Sequence, residues 1–120
     1  MSVGTAFLRA DDALIAKGHR VALEERATDE STAVTNIFSG RPARGFQNSL
    51  VRELGPMSPA VPEFPWASTA VKPLSAADPE ALHGGWWAGQ AAAIAPARGD
   101  AEAVAGWLVA DAERVRGELK

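Results

Sequence analysis

Ser2-Val3-Gly4-Thr5-Ala6-Phe7-Leu8 is the stretch on which the fold reading turns. An apolar run broken by Gly-Thr, with a helix-forming segment directly after it, is the pattern of a parallel-sheet strand entering a βα turn. Gly4 lets the backbone approach an anion closely. Thr5 offers a hydroxyl and an N–H, and a helix N-terminus adds partial positive charge. The turn therefore predicts a phosphate contact at Gly4 and Thr5. Such a strand needs parallel neighbours, and no earlier strand is present in the sequence. The expectation is the tail of a larger α/β body.

At 120 residues the chain is one domain's worth, far short of the roughly 250 residues of a β/α barrel. Its apolar fraction of 47% is that of a soluble globular protein. A net charge of −3 gives no electrostatic case for nucleic acid or an anionic membrane. Cysteine is absent, which removes disulfides, thiolate metal sites and cysteine nucleophiles together. His19 and His83 are the only histidines, so no metal site is expected. The N-terminus lacks a basic region followed by an apolar core, and no apolar run approaches a membrane span. A cytoplasmic protein is the expectation.

Along the chain, Asp11 and Asp12 stand where an N-cap is wanted, and residues 12–27 read as an amphipathic helix. Leu14, Gly18 and Val21 share one face of it, with Ile15, His19 and Ala22 beside them. Ala33 to Phe38 is strand-like and has no obvious mate. A short helix is expected from about Phe46 to Leu54, ended by Gly55-Pro56. Pro56, Pro59, Pro62 and Pro65 recur every three residues, the repeat of a polyproline II segment. With Met57, Val61, Phe64 and Trp66 they predict an extended crossing laid over a larger body. The stretch on to Gly85 reads as irregular, because Pro73 and Pro79 limit any helix. Trp86 to Ala95 is expected to be helical. A last helix begins at Asp100 and carries Val104, Leu108, Ala112, Val115 and Leu119 on one stripe.

Two further stretches carry candidate chemistry. Between Ser31 and Arg52 there is no carboxylate, so Arg41, Arg44 and Arg52 form a basic patch around Ser39-Gly40-Arg41-Pro42-Ala43-Arg44-Gly45. The planar guanidinium suits a phosphate or carboxylate-like anion; the other reading is a surface loop whose arginines pair with nearby acids. In Gly84-Gly85-Trp86-Trp87-Ala88-Gly89-Gln90, adjacent tryptophans cannot both face one core from a helix, so one is free for a ligand or another domain. Core packing of both is the alternative. Gln90 can donate and accept at the edge of a heteroaromatic ring. His19, mid-helix among apolar positions, reads as a satisfied core or boundary residue. No nucleophile elbow is present.

Three blocks resemble the C-terminal portion of the nitronate monooxygenases, also called the 2-nitropropane dioxygenase-like family. They are Val3-Gly4-Thr5-Ala6-Phe7-Leu8, the run from Thr35 through Ser39-Gly40-Arg41-Pro42-Ala43-Arg44-Gly45 to Asn48, and Trp87-Ala88-Gly89-Gln90. The likeness runs through nearly the whole chain, and the arginine-rich block is its most specific part. It implies an FMN-binding β/α barrel that oxidises anionic alkyl nitronates with dioxygen. It also implies flavin-phosphate contacts at Gly4 and Thr5, and proximity of Arg41, Arg44 and Gln90 to the flavin pocket. Ser2 stands where glutamine is common in the family. The upstream glycine-rich turn and the Gly-Gly-His type motif that supplies the base have no counterpart in this sequence, and neither His19 nor His83 matches that motif. No catalytic residue is assigned.

The expectation is thus the C-terminal part of an α/β flavoprotein, mainly helical with one or two short strands when taken alone. Residues 1–55 would be the end of the barrel, 56–85 the proline-rich crossing and 86–120 the C-terminal helices. A complementary N-terminal half is an expected partner, beside nitronate and dioxygen; nucleic acid and membrane are not. Two alternatives stand beside this reading: a small helical module that binds a partner through Trp86, Trp87 and the crossing, or a non-catalytic remnant; and a flavin protein of the related enoyl reductase type.

Overall fold

The structure, a computed structural model, describes residues 3–25, 31–79, 84–94 and 99–120. Among these, the helices are α1 (Gly4–Leu8), α2 (Lys17–Glu25), α3 (Ser49–Leu54), α4 (Trp66–Ala77) and α5 (Ala101–Glu118), with a 3-10 turn at Gln90–Ile94. The strands β1 (Thr32–Thr35) and β2 (Ala43–Phe46) pair antiparallel, with Thr32 opposite Phe46 and Thr35 opposite Ala43. The described residues are mainly helical with two short strands, as the reading along the chain expects. His83 lies outside the described residues.

The opening stretch differs from its reading. Among the described residues no strand precedes Gly4; Val3 stands at the N-cap position and α1 starts at Gly4 itself. Nor does a single helix run over 12–27. Asp11 and Asp12 are engaged with the far end of the chain: the Asp11 N–H donates to Gly99 O at 2.8 Å, and the Ala101 N–H donates to Asp12 Oδ1 at 3.0 Å. Arg20 then donates to Ala10 O and Ala13 O at 3.1 and 2.9 Å, fixing the loop before α2 as non-helical. Leu14 is consequently fully exposed, and the buried face of α2 is His19, Ala22 and Leu23.

The mate missing for the strand-like segment is supplied by the arginine-rich block, whose second half is β2. Gly40, at φ +85°, shapes the turn, with its N–H donating to Asn36 O at 2.8 Å. Beyond β2, Asn48 caps α3 by accepting from the Val51 N–H at 3.0 Å, and Gly55 ends it at φ +81°. The crossing is tied down reciprocally: Asn36 Nδ2 donates to Ser58 O at 2.9 Å, and the Ser58 N–H donates to Asn36 Oδ1 at 3.0 Å.

Helix α4 was hidden by its proline. Ala67 and Val71 sit one turn apart and are buried, and Val71 anchors the helix against Ile37, Phe38 and Val51. Pro73 falls on the exposed side, where water can serve the carbonyl its missing N–H would have met. The expected helix over Trp86–Ala95 is replaced by an extended segment and the 3-10 turn. The backbone groups a helix would need are paired with β2: the Phe46 N–H donates to Trp86 O at 2.9 Å, and the Ala88 N–H to Arg44 O at 3.2 Å. Residues 86–88 are in effect a third, bridge-sized strand beside β2, through Gly45 and Trp87.

Three small apolar clusters hold these parts. Ala22, Leu23, Phe46, Ala88 and Ala92 form one, Ile37, Phe38, Val51 and Val71 another, and Ala6, Ala10 and Val104 the third. Helix α5 begins as expected, with the Asp100 side chain accepting from the Ala103 N–H at 2.9 Å. Of its stripe only Val104 is buried and Leu108 partly so; Val115 and Leu119 are 40% and 83% exposed. The radius of gyration, 15.9 Å, exceeds the roughly 14 Å of a compact chain this long. The accessible surface of 7761 Å² likewise exceeds the roughly 6,200 Å² expected for such a size. Among the described residues no helix is long and apolar enough to cross a membrane.

Candidate functional site

The structure joins two of the quoted blocks directly. The Gly89 N–H donates to Thr5 Oγ1 at 2.7 Å across 84 residues of sequence. Gln90 follows at the start of the 3-10 turn, exposed, so Gly4, Thr5 and Gln90 share one edge of the molecule. Thr5 uses a lone pair for this bond and keeps its hydroxyl proton available to a second acceptor. Gly4 is exposed, and a side chain built on it would meet nothing within 4 Å. The N–H groups of a helix's first turn have no intrahelical acceptor. These features fit an anionic group: open backbone at Gly4, a hydroxyl donor at Thr5, and an amide side chain at Gln90.

The two arginines do not form one patch. Arg44, half-buried in β2, donates from Nη1 to Thr32 Oγ1 and Thr32 O at 3.1 and 3.3 Å, so its guanidinium holds the hairpin. Its carbonyl is the acceptor for Ala88, which links it through the backbone to Gly89 and Gln90. Arg41 stands at the hairpin tip, exposed, with its guanidinium carbon 4.5 Å from the centroid of the Phe64 ring. One face of that cation is taken by the ring, and among the described residues no acceptor meets its N–H groups.

The tryptophans resolve as neighbours on a strand rather than on a helix. Trp86 lies over α2, parallel to the His19 ring with centroids 6.0 Å apart. Gly18 makes this approach possible: a Cβ there would stand 2.6 Å from the Trp86 ring. Trp87 points to the other side, edge-on to Phe38 at 5.8 Å, and is 36% exposed. His19 itself is buried, edge-on to Phe46 at 6.4 Å, with Nε2 2.9 Å from Trp87 O. A carbonyl only accepts, so Nε2 carries the proton and donates. Burial holds the imidazole below the ordinary histidine pKa, against a smaller upward pull from that same bond. His19 is thus the satisfied core residue that its apolar setting predicts. That it bonds the backbone between Trp86 and Ala88 has no local signal in the sequence.

Against known proteins, the family model for nitronate monooxygenase matches residues 1–111. The nitronate monooxygenase of Paraburkholderia phytofirmans is 42% identical over 108 residues, which cover 86% of this chain and 29% of that protein. A probable nitronate monooxygenase of Staphylococcus aureus is 30% identical over 101 residues, 79% of this chain and 27% of the relative. Among solved structures, nitroalkane oxidase from Streptomyces ansochromogenes superposes with a TM-score of 0.78 at 32% identity, covering 97% of this chain and 33% of that one. The chain therefore spans about a third or less of the length of these relatives.

Proposed function

The chain belongs to the nitronate monooxygenase family, and from that premise we propose that it is the C-terminal part of an FMN-dependent oxidoreductase acting on alkyl nitronates with dioxygen. The observation that carries the reading is the bond between Thr5 and Gly89. It unites, at one exposed edge, the turn and the glutamine that the family likeness assigns to the flavin.

In this reading the N–H groups at Gly4 and Thr5 and the Thr5 hydroxyl hold the flavin phosphate, and the Gln90 amide meets the ring system. The chemistry supplied by bound FMN is two-electron oxidation of an anionic nitronate, with the electrons passed to dioxygen. Arg41 receives the substrate anion or guards the mouth of the pocket, while Arg44 keeps β2, and so residues 88–90, in register. The rest of a β/α barrel, as part of a longer chain or as a separate half, supplies the first phosphate turn and the base. The uncovered end of the α5 stripe, Val115 and Leu119, fits burial against that body.

The test is FMN titration of this chain, and of a hybrid in which it replaces the matched region of the Paraburkholderia enzyme. Gly4→Asp is the informative variant. The position is open, and an acid in a helix's first turn is favourable, so folding survives while a phosphate is repelled. Saturable FMN binding by the hybrid, lost on Gly4→Asp, is the expected result. Equal FMN affinity with and without the substitution would overturn the assignment.

A further inference from the structure

We infer that His19 is a positioning residue: from α2 it fixes the strand 86–88, and thereby holds Gly89 and Gln90 at the Thr5 turn. The inference rests on the reading of that turn as the cofactor edge, but its geometry does not.

Residues 86–88 form only a bridge-sized strand. On the β2 side they are held by the Phe46 N–H to Trp86 O and the Ala88 N–H to Arg44 O. The carbonyl of Trp87, between those two, faces the opposite way, as alternate backbone groups of a strand must. That carbonyl receives the His19 Nε2 proton at 2.9 Å. The strand is therefore gripped from both edges at successive residues, and the next residue but one, Gly89, makes the bond to Thr5.

Two ring contacts, and the room left by a neighbouring glycine, make His19 specific to this task. Its ring stacks on Trp86 with an interplanar angle of 6°, so the side chain next to the gripped carbonyl is held in the same contact. Phe46, which bonds the strand from the other edge, meets the imidazole edge-on. Glycine at position 18 gives the Trp86 ring its room beside α2. An apolar residue at 19 would fill the space but leave the partly buried Trp87 carbonyl without its donor.

Amide hydrogen exchange on the intact chain tests this without any flavin. His19→Leu keeps apolar volume and removes the donor; His19→Gln restores an N–H that can reach the same carbonyl. The expected result is about five- to tenfold faster exchange at Ala88 and Gly89 in His19→Leu, the loss of one hydrogen bond's worth of protection. The Val104 amide in α5 should stay within twofold of wild type, and His19→Gln should bring Ala88 and Gly89 back. Unchanged exchange at Ala88 and Gly89 would overturn the inference. So would uniform acceleration that includes Val104, since His19 would then be an ordinary core residue. Failure of FMN to bind leaves these rates untouched, so the cofactor reading and this one fail separately.

Discussion

Replacing Gly40 with alanine sets a local conformational cost against a steric one, and the structure gives both. At φ +85° an L-residue is strained, at a cost of about 1–2 kcal/mol. The added Cβ would also stand 2.3 Å from the Phe64 nitrogen, 2.6 Å from the Glu63 carbonyl carbon and 2.8 Å from Pro62 O. All three are backbone atoms, so relief requires the crossing to move away from the hairpin tip, which adds about 1–3 kcal/mol as for other overpacked sites. The sum is about 3 kcal/mol, or roughly a 12 °C fall in Tm for a chain of this size. Gly55 provides the control. It shares the positive φ, +81° at ψ 154°, with nothing within 4 Å of its Cβ position. Gly55→Ala should therefore show a conformational cost alone, about 1–3 kcal/mol. Chemical denaturation of the two variants, followed by tryptophan emission, measures the difference. A Gly40→Ala loss of no more than about 1–2 kcal/mol, the conformational part alone, would mean that the hairpin tip and residues 62–64 are not in the contact described, and the seat of Arg41 over Phe64 would go with it.

Thr5→Val preserves shape and removes the acceptor of the Gly89 N–H; because Gly89 is exposed, water compensates in part. Stability should fall by about 0.5–1 kcal/mol, while FMN affinity of the hybrid falls at least tenfold, read by titration. For His19, the folded pKa lies below the unfolded value of about 6.5, because burial disfavours the cation. The unfolded chain then binds more protons as pH falls through that value. The His19 contribution is complete above it and is lost between it and the lower folded pKa. Tm should drop between pH 7 and 5.5, and the drop should shrink in His19→Gln; an identical pH profile for the two proteins would refute the linkage. Asp100→Ala and Asp12→Ala each remove an acceptor at the start of α5. Thermal melts should show about 1 kcal/mol lost for the first, a local cap, and somewhat less for the second.

Legibility followed the range of the interactions. Helix α5 declares its cap at Asp100, and α3 its Gly55 stop, because those signals act within a turn of the residue that carries them. The glycine and arginine block signals its tight turn locally, whereas the strand Ala43–Phe46 it feeds depends on pairing with β1. What the sequence concealed was settled at a distance. Asp12 caps a helix that begins 89 residues later. Trp86 to Ala88 abandon a helix-like composition because β2 offers their backbone better partners. Pro73 reads as a breaker, yet its position on an exposed face makes it tolerable. At the candidate site the motifs named Gly4, Thr5 and Gln90, while the bond that unites them lies between blocks no spacing rule connects.

Helix α1 explains why that union holds. Five residues are too few for a helix to persist in water on its own. Its order must come from what it touches. Leu8 packs on the cluster of Leu23, Phe46 and Ala88, whereas Ala6 lies with Ala10 and Val104, and Phe7 against that second group. The helix is thus shared between the two clusters, and Arg9, just past its end, donates to Ala92 O at 3.0 Å. Thr5 directly precedes these attachments in the same short helix, so its hydroxyl is aimed at Gly89 only when both clusters are formed. The edge proposed to meet the phosphate is therefore a product of the packed chain rather than of the Gly-Thr motif. In a peptide carrying residues 3–8 alone the same motif would have no fixed geometry to offer a phosphate.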